Sequence, residues 1–300
     1  LSLAAARGQP SWDTDGRDWP NRESSRFVEV AGLRWHVQRI GRGPPLLLVH
    51  GTGAATHSWR DVAPLLARRF TVVAPDLPGH GFTDPMPPGA VSLTGIARAL
   101  HGLLRRLEIA PAVAVGHSAG AAILTRMCID RSIAPKLLVG LNGALLPFDG
   151  MAGHFFPPMA KLLFLNPLTP RLFAWSADRA AVSRLLRGTG STIDRAGVDL
   201  YARLMSHHGH VAGALGMMAN WDLETLGRDL SKMAVPMALI VARGDKAVAP
   251  SAAETIRRRM PQVRVEFVDG VGHLAHEEKP RLIVEKICAF AEAAGAVAPE

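Results

Sequence analysis

Short unbroken apolar runs alternate along most of the chain with longer segments in which apolar residues recur every three or four positions. Leu46-Leu47-Leu48-Val49, Phe70-Thr71-Val72-Val73-Ala74, Ala112-Val113-Ala114-Val115 and the stretch 136–141 are runs of the first kind, the pattern of strands buried on both faces. Segments 58–68, 93–107 and 119–129 carry the helical period. This alternation predicts a mostly parallel sheet with helices on both faces. Ahead of it, residues 26–40 alternate apolar and polar around an Ala31-Gly32 turn, as a β-hairpin does. After Asn142 the rhythm breaks. Residues 143–232 show helical patterns without a clear strand, rich in methionine, phenylalanine and tryptophan, and read as a helical insertion. The sheet resumes at 237–241 and 263–268, and a helix over 280–293 closes the fold.

These breaks divide the chain into an N-terminal arm (1–22), a core (23–142 and 233–294), a helical cap (143–232) and a C-terminal tail (295–300) expected to fray. The arm is polar and turn-rich. Its Asp13, Asp15 and Asp18 lack the spacing and the closing glutamate of a calcium loop, so a solvated, extended segment is expected.

With 300 residues, 48% of them hydrophobic, the chain can bury a substantial core. No apolar run approaches the roughly 20 residues that span a bilayer, and Leu1 to Arg7 lacks the character of a signal peptide. A cytoplasmic setting is therefore expected. Cys128 and Cys288 lie far apart within helical patterns and read as core thiols. Lysine and arginine exceed the acids by 34 − 26 = 8. That excess suits anionic ligands, acidic partners or peripheral membrane contact, but the basic residues are scattered and no nucleic-acid motif is present.

The chemistry centres on Gly116-His117-Ser118-Ala119-Gly120, which follows an apolar run and opens a helical segment. A G-x-S-x-G in that setting places its serine at the apex of a sharp strand-to-helix turn. A serine hydroxyl needs a histidine base, and the base needs an acid to fix its tautomer. Downstream, Gly244-Asp245 and Gly272-His273 each stand just past the carboxyl end of an expected strand, where open α/β sheets gather their ligands. Upstream, His50-Gly51-Thr52-Gly53 ends another strand with glycines that leave backbone amides free to face a cleft.

Together with Asp76-Leu77-Pro78-Gly79-His80-Gly81, these motifs resemble the α/β-hydrolase superfamily, in order and at fitting separations. The resemblance implies an α/β-hydrolase fold without a cofactor. Its nucleophile would be Ser118, its base His273 and its orienting acid Asp245, with an oxyanion hole from the amides of Thr52 and Ala119. Serine at 118 argues against the aspartate chemistry of haloalkane dehalogenases and epoxide hydrolases, and Asn142 stands where an alternative acid would be.

A narrower resemblance runs from about Asp18 to Ala293. It is carried by Asp18 to Val28, Trp35 to Gln38, Gly51 to Arg60, Leu141 to Phe148 and His210 to Leu215. These stretches are similar to the magnesium-chelatase accessory hydrolases of bacteriochlorophyll synthesis. That likeness implies a tetrapyrrole-related role beside magnesium chelatase subunits, without naming a reaction. Two functions stand side by side: a serine hydrolase cleaving an ester or related acyl bond, implied by the triad and oxyanion motifs, or a porphyrin-binding or chelatase-assisting protein whose triad is idle, implied by this likeness with the methionine-rich cap and the positive charge.

Remaining candidates are weighed against plain packing. His57 and His117 lie near the expected cleft, where a ligand contact competes with a hydrogen bond to a loop carbonyl. Met217, Met218 and Trp221, with Phe155, Phe156 and Met159, are candidate walls of a substrate pocket, or ordinary cap core. His207-His208-Gly209-His210 has no carboxylate or cysteine at ligand spacing, so no metal site is expected. His276 competes with His273 for the role of base, although Glu277-Glu278 beside it suggests a helix start.

Overall fold

The computed structural model describes residues 8–147, 166 and 168–299. Eight strands form one sheet in the order β1-β2-β4-β3-β5-β6-β7-β8. The hairpin is β1 (Ser25–Val30) and β2 (Leu33–Ile40), turning through Ala31 and Gly32, both at positive φ. β2 pairs antiparallel with β4 (Thr71–Pro75). From β4 through β3 (Pro45–Val49), β5 (Val113–His117), β6 (Leu137–Leu141) and β7 (Met237–Ala242) to β8 (Arg264–Val268), every pair is parallel.

Successive residues of a strand face opposite ways, so a strand covered on both sides must be apolar throughout. In β3, Leu47 and Val49 enter one core with helices α2 (Leu93–Arg106) and α3 (Ala119–Ile129). Leu46 and Leu48 enter a second, with α1 (Val62–Leu66) and the C-terminal helix Pro280–Ala293. α2 buries Leu93, Ile96, Ala97, Leu100, Leu103 and Leu104, one stripe of its surface, and Ser92 caps it by accepting the Gly95 N–H at 3.1 Å.

Between β6 and β7 the described chain forms α4 (Thr169–Ser176), α5 (Arg179–Gly188), α6 (Arg195–Met205), α7 (His208–Ala219) and α8 (Leu223–Asp229). Ser251–Arg259 is a helix that apolar periodicity alone does not disclose, since it buries only Ala253 and Ile256. The segment expected as one helix over 58–68 is split into a 3-10 turn, Thr56–Trp59, and α1. Pro64 has no N–H to donate to an earlier turn, so the α-helix begins just before it.

Two expectations about the ends are corrected. Residues 8–22 dock rather than extend: Trp19 is buried and donates from its indole to Thr56 Oγ1 at 3.0 Å, and Gln38 donates to the Pro20 carbonyl at 2.6 Å. Asp15 is not solvated; it is buried, accepts the Ser11 N–H at 2.8 Å and faces His207. Asp18 pairs with both terminal nitrogens of Arg203. The polar composition of this segment hides that its tryptophan anchors it. At the other end Ala296 is buried, and the Gly295 and Ala298 carbonyls accept from Lys136 and Arg69. Trp19→Ala is expected to destabilise the protein by about 3–5 kcal/mol, read from urea midpoints, because the cavity forms against core rings.

Parallel strands share a direction, so the loops after β3, β5, β6, β7 and β8 meet at one edge of the sheet, together with the loop after β4.

Candidate active site

At that edge β5 turns into α3 with no room for side chains beside the serine. A Cβ on Gly116 would lie 2.4 Å from the Ala121 nitrogen, and one on Gly120 would lie 2.2 Å from the Val49 carbonyl oxygen. Ser118 takes φ 51°, ψ −118°, a backbone that costs a residue with a side chain about 1–3 kcal/mol and persists only when its surroundings hold it. They do: Ser118 donates its N–H to the Leu141 carbonyl at 3.0 Å, and its own carbonyl accepts from Ala121 and Ala144, each at 3.1 Å. Ser118 is half-buried, and its hydroxyl bonds no described residue.

Asp245 and His273 are brought together. Asp245 Oδ2 lies 2.7 Å from His273 Nδ1, while Oδ1 accepts the N–H groups of Ala247 and Val248 at 2.7 and 2.9 Å. With its Nδ1 proton held by the carboxylate, the ring presents Nε2 as an acceptor. The backbone at His273 is fixed to the serine turn, because its carbonyl accepts from His117 Nε2 at 2.9 Å and from Asn142 Nδ2 at 2.8 Å. Asn142 also accepts the Ala242 N–H at 2.7 Å, so it braces the histidine loop against the end of β7 rather than supplying an acid.

The loop after β3 lies over the serine: a Cβ on Gly51 would be 3.0 Å from Ser118 Cβ and 2.9 Å from His117 Nδ1. Among the described residues, neither the Thr52 nor the Ala119 amide has a hydrogen-bond acceptor. The Ala119 amide belongs to the first turn of α3, where helix N–H groups are unpaired and favour negative charge. His50 accepts the Leu77 N–H on Nε2 at 2.9 Å, which places its proton on Nδ1, 2.8 Å from the Gly51 carbonyl. Asp76 accepts from Thr56 and Phe82 and pairs with His36 at 2.7 Å. Burial alone would raise the Asp76 carboxyl, but His36, His50 and the Phe82 N–H hold it below the ordinary carboxylate range.

In the sequence His210 stands in a histidine cluster and at the head of a stretch that carries the narrower resemblance, with no role of its own. Its Nδ1 accepts the Gly81 N–H and its Nε2 donates to the Gly53 carbonyl, both at 3.1 Å. It therefore ties α7 to the loop after β3 and the loop after β4 at once. Close approach is what makes this reach possible: a Cβ on Gly213, one turn along, would lie 2.2 Å from the Gly79 carbonyl oxygen. His207 instead faces Asp15.

The other candidates separate. His57 is fully buried, its ring edge-on to Trp19 and Tyr201, and among the described residues neither of its nitrogens has a hydrogen-bond partner, so the structure places it in packing rather than on an open surface. Burial holds it neutral, with its pKa well below the ordinary histidine value. His117 braces the His273 carbonyl instead of facing a ligand. Met217 is buried and accepts the Thr52 hydroxyl on sulfur at 3.6 Å. Met218 is exposed, and Trp221 is half-buried against the α2–α3 core. Phe155, Phe156 and Met159 lie outside the described residues.

His276 is excluded as the base by its position. It is fully buried, with Nε2 2.7 Å from Ser58 Oγ, and burial lowers its pKa to about 3. Ser58 donates to Glu277 Oε1 at 2.7 Å, as does Tyr201 at 2.8 Å, while Arg60 pairs with Oε2 at 2.5 Å. This sealed network fastens α6 to the foot of the histidine loop.

Residues 46–286 match the pattern of the alpha/beta hydrolase family. The chain is 40% identical over 263 residues to the magnesium-chelatase 30 kDa subunit of Rhodobacter capsulatus, spanning 87% of this chain and 92% of that protein. It is 26% identical over 278 residues to the soluble epoxide hydrolase of Corynebacterium sp., spanning 87% and 94%. An epoxide hydrolase structure from Vigna radiata superposes with a TM-score of 0.71 at 22% identity, covering 90% and 98% of the two chains, a likeness of fold alone.

Proposed function

The chain belongs to the alpha/beta hydrolase family, and on that footing we propose that it is a serine hydrolase acting on an ester or related acyl bond through Ser118, His273 and Asp245. The observation that carries this reading is the 2.7 Å Asp245–His273 pair, held by its own backbone to the turn that presents Ser118. In the forward step His273 Nε2 takes the Ser118 proton as Oγ attacks the acyl carbonyl. Asp245 keeps Nδ1–H in place and stabilises the imidazolium. The developing oxyanion is met by the Thr52 and Ala119 amides. The same imidazolium returns its proton to the leaving group, and water repeats the sequence on the acyl-serine. The unbonded Ser118 hydroxyl is in keeping with sites whose catalytic hydrogen bonds tighten only around substrate.

Serine at 118 sets this chemistry apart from that of the epoxide hydrolases, whose likeness extends to fold. The 40% identity to a magnesium-chelatase subunit supports a physiological setting beside magnesium chelatase, in tetrapyrrole metabolism. It also supports a second reading, a non-catalytic porphyrin-binding or chelatase-assisting role. Two measurements separate them. Turnover of short-chain aryl esters that is lost in Ser118→Ala supports hydrolysis, and saturable quenching of protoporphyrin IX fluorescence by both proteins supports binding. Absence of turnover with intact binding would leave the second reading standing.

His210 acts on the oxyanion site through the Gly53 carbonyl. His210→Ala is expected to lower kcat about tenfold with little change in KM, a fraction of what loss of an oxyanion donor costs. His210→Gln, which keeps a donor toward Gly53, is expected to recover most of it. Steady-state kinetics on both variants check this.

A further inference from the structure

Five large apolar side chains stand in solvent on one short stretch of the insertion. Leu168, Leu172, Phe173 and Trp175 lie at and along α4 and Leu185 lies on α5, each 42–54% exposed. α4 buries its opposite side through Pro170 and Ala174, and α5 packs inward through Val182 and Leu186, which leaves Leu185 on the flank of its buried stripe. Their outward apolar residues are therefore surplus to the fold, and a patch of this kind marks an interaction surface.

Charge decides the partner. Arg171, Arg184 and Arg187 are exposed on the same two helices, and among the described residues none of the three pairs with a carboxylate, whereas Arg179 pairs with Asp199. A second copy of the chain would bring the same uncompensated arginines face to face. An anionic surface takes both the arginines and the apolar residues, and tryptophan favours the boundary between headgroups and acyl chains. At 8 and 10 residues the helices are too short to cross a bilayer and can only lie on it.

We infer that the α4–α5 face seats on an anionic lipid bilayer. A cavity of about 630 Å³ opens there, with Phe173, Val182, Leu185, Met205, Thr189 and Ala247 in its lining. The Thr189 carbonyl accepts the N–H groups of Lys246 and His273, at 3.0 and 3.4 Å. The lining at Thr189 is thus tied to the backbone that carries the Asp245–His273 pair. An apolar substrate dissolved in the bilayer would enter by this mouth. That last step rests on the hydrolase reading; the lipid seat does not.

Co-sedimentation of the full chain with vesicles of equal parts phosphatidylcholine and phosphatidylglycerol, against pure phosphatidylcholine, tests the seat. The expected result is binding to the anionic vesicles alone, weakened by salt and about thirtyfold weaker in Arg171→Gln/Arg187→Gln. Leu172→Ser/Trp175→Ser is expected to abolish it at an unchanged melting temperature. Binding to neither vesicle, equal binding to both, or binding that either pair of substitutions leaves intact would overturn the inference. So would a dimer in light scattering that the Leu172/Trp175 variant dissolves, which assigns the face to a second copy. Labelling of Ser118 by a soluble fluorophosphonate, read on the same samples, reports the hydrolase reading separately.

Discussion

Asp245→Asn is expected to lower kcat/KM for the esters the protein turns over by about 10⁴-fold, with little change in melting temperature. The size of the effect comes from a tautomer. An asparagine side chain can keep Oδ1 on the Ala247 and Val248 amides. The amide nitrogen then replaces Oδ2, 2.7 Å from His273 Nδ1, and donates where the carboxylate accepted. The imidazole must answer with a lone pair on Nδ1, its proton moves to Nε2, and no base faces Ser118. Steady-state kinetics beside thermal melts measure both halves of the claim. A variant within tenfold of the parent would remove Asp245 from the mechanism.

The second large effect is on stability in acid. Burial holds His57, His80 and His117 well below the ordinary histidine value, His210 at about 4 and His276 at about 3. In the unfolded chain these rings titrate near 6.5, so between about pH 6.5 and 4 the unfolded state binds protons that the folded state refuses. Stability is therefore full above that window and is lost as pH falls through it. Each ring contributes up to about 1.4 kcal/mol per pH unit, so five together remove several kcal/mol per unit, against a total of about 5–15 kcal/mol for a typical domain. Glu277, whose carboxyl burial pushes up, opposes this as one group against these five and His50, which burial also lowers. Asp76, held low, adds to the loss only at more acid pH, below the ordinary carboxylate value. Urea midpoints followed downward from about pH 7.5 are expected to collapse near pH 5, well above where carboxylates alone would act. A midpoint flat to about pH 4.5 would mean that these rings are not held neutral.

What the sequence disclosed and what it did not divide along a physical line. β3 and β5 were legible because a strand covered on both faces must be apolar at every position, and Gly116 and Gly120 because the serine turn has no space for a Cβ. The order Ser118, Asp245, His273 was legible because each follows a strand that ends at the same edge. By contrast, the role of His210 depends on contacts 129 and 157 residues away, and that of Trp19 on a hydroxyl 37 residues away. Neither leaves a periodic trace. At Asn142 the sequence shows that an acid is missing, but its bracing of the His273 carbonyl comes from a loop 131 residues on. The sequence neighbours of His57 and Met218 point toward the cleft, and the structure sends one into the core and the other to the surface.

The central claim is that Ser118 is a nucleophile activated by His273. Treating the folded protein with a fluorophosphonate and mapping the adduct by peptide mass measures this most directly. The expected result is a single adduct on Ser118, absent from Ser118→Ala and formed at least about 10³-fold more slowly in His273→Ala. An unlabelled Ser118 in the folded wild type, or labelling that proceeds equally fast without the imidazole, would contradict it.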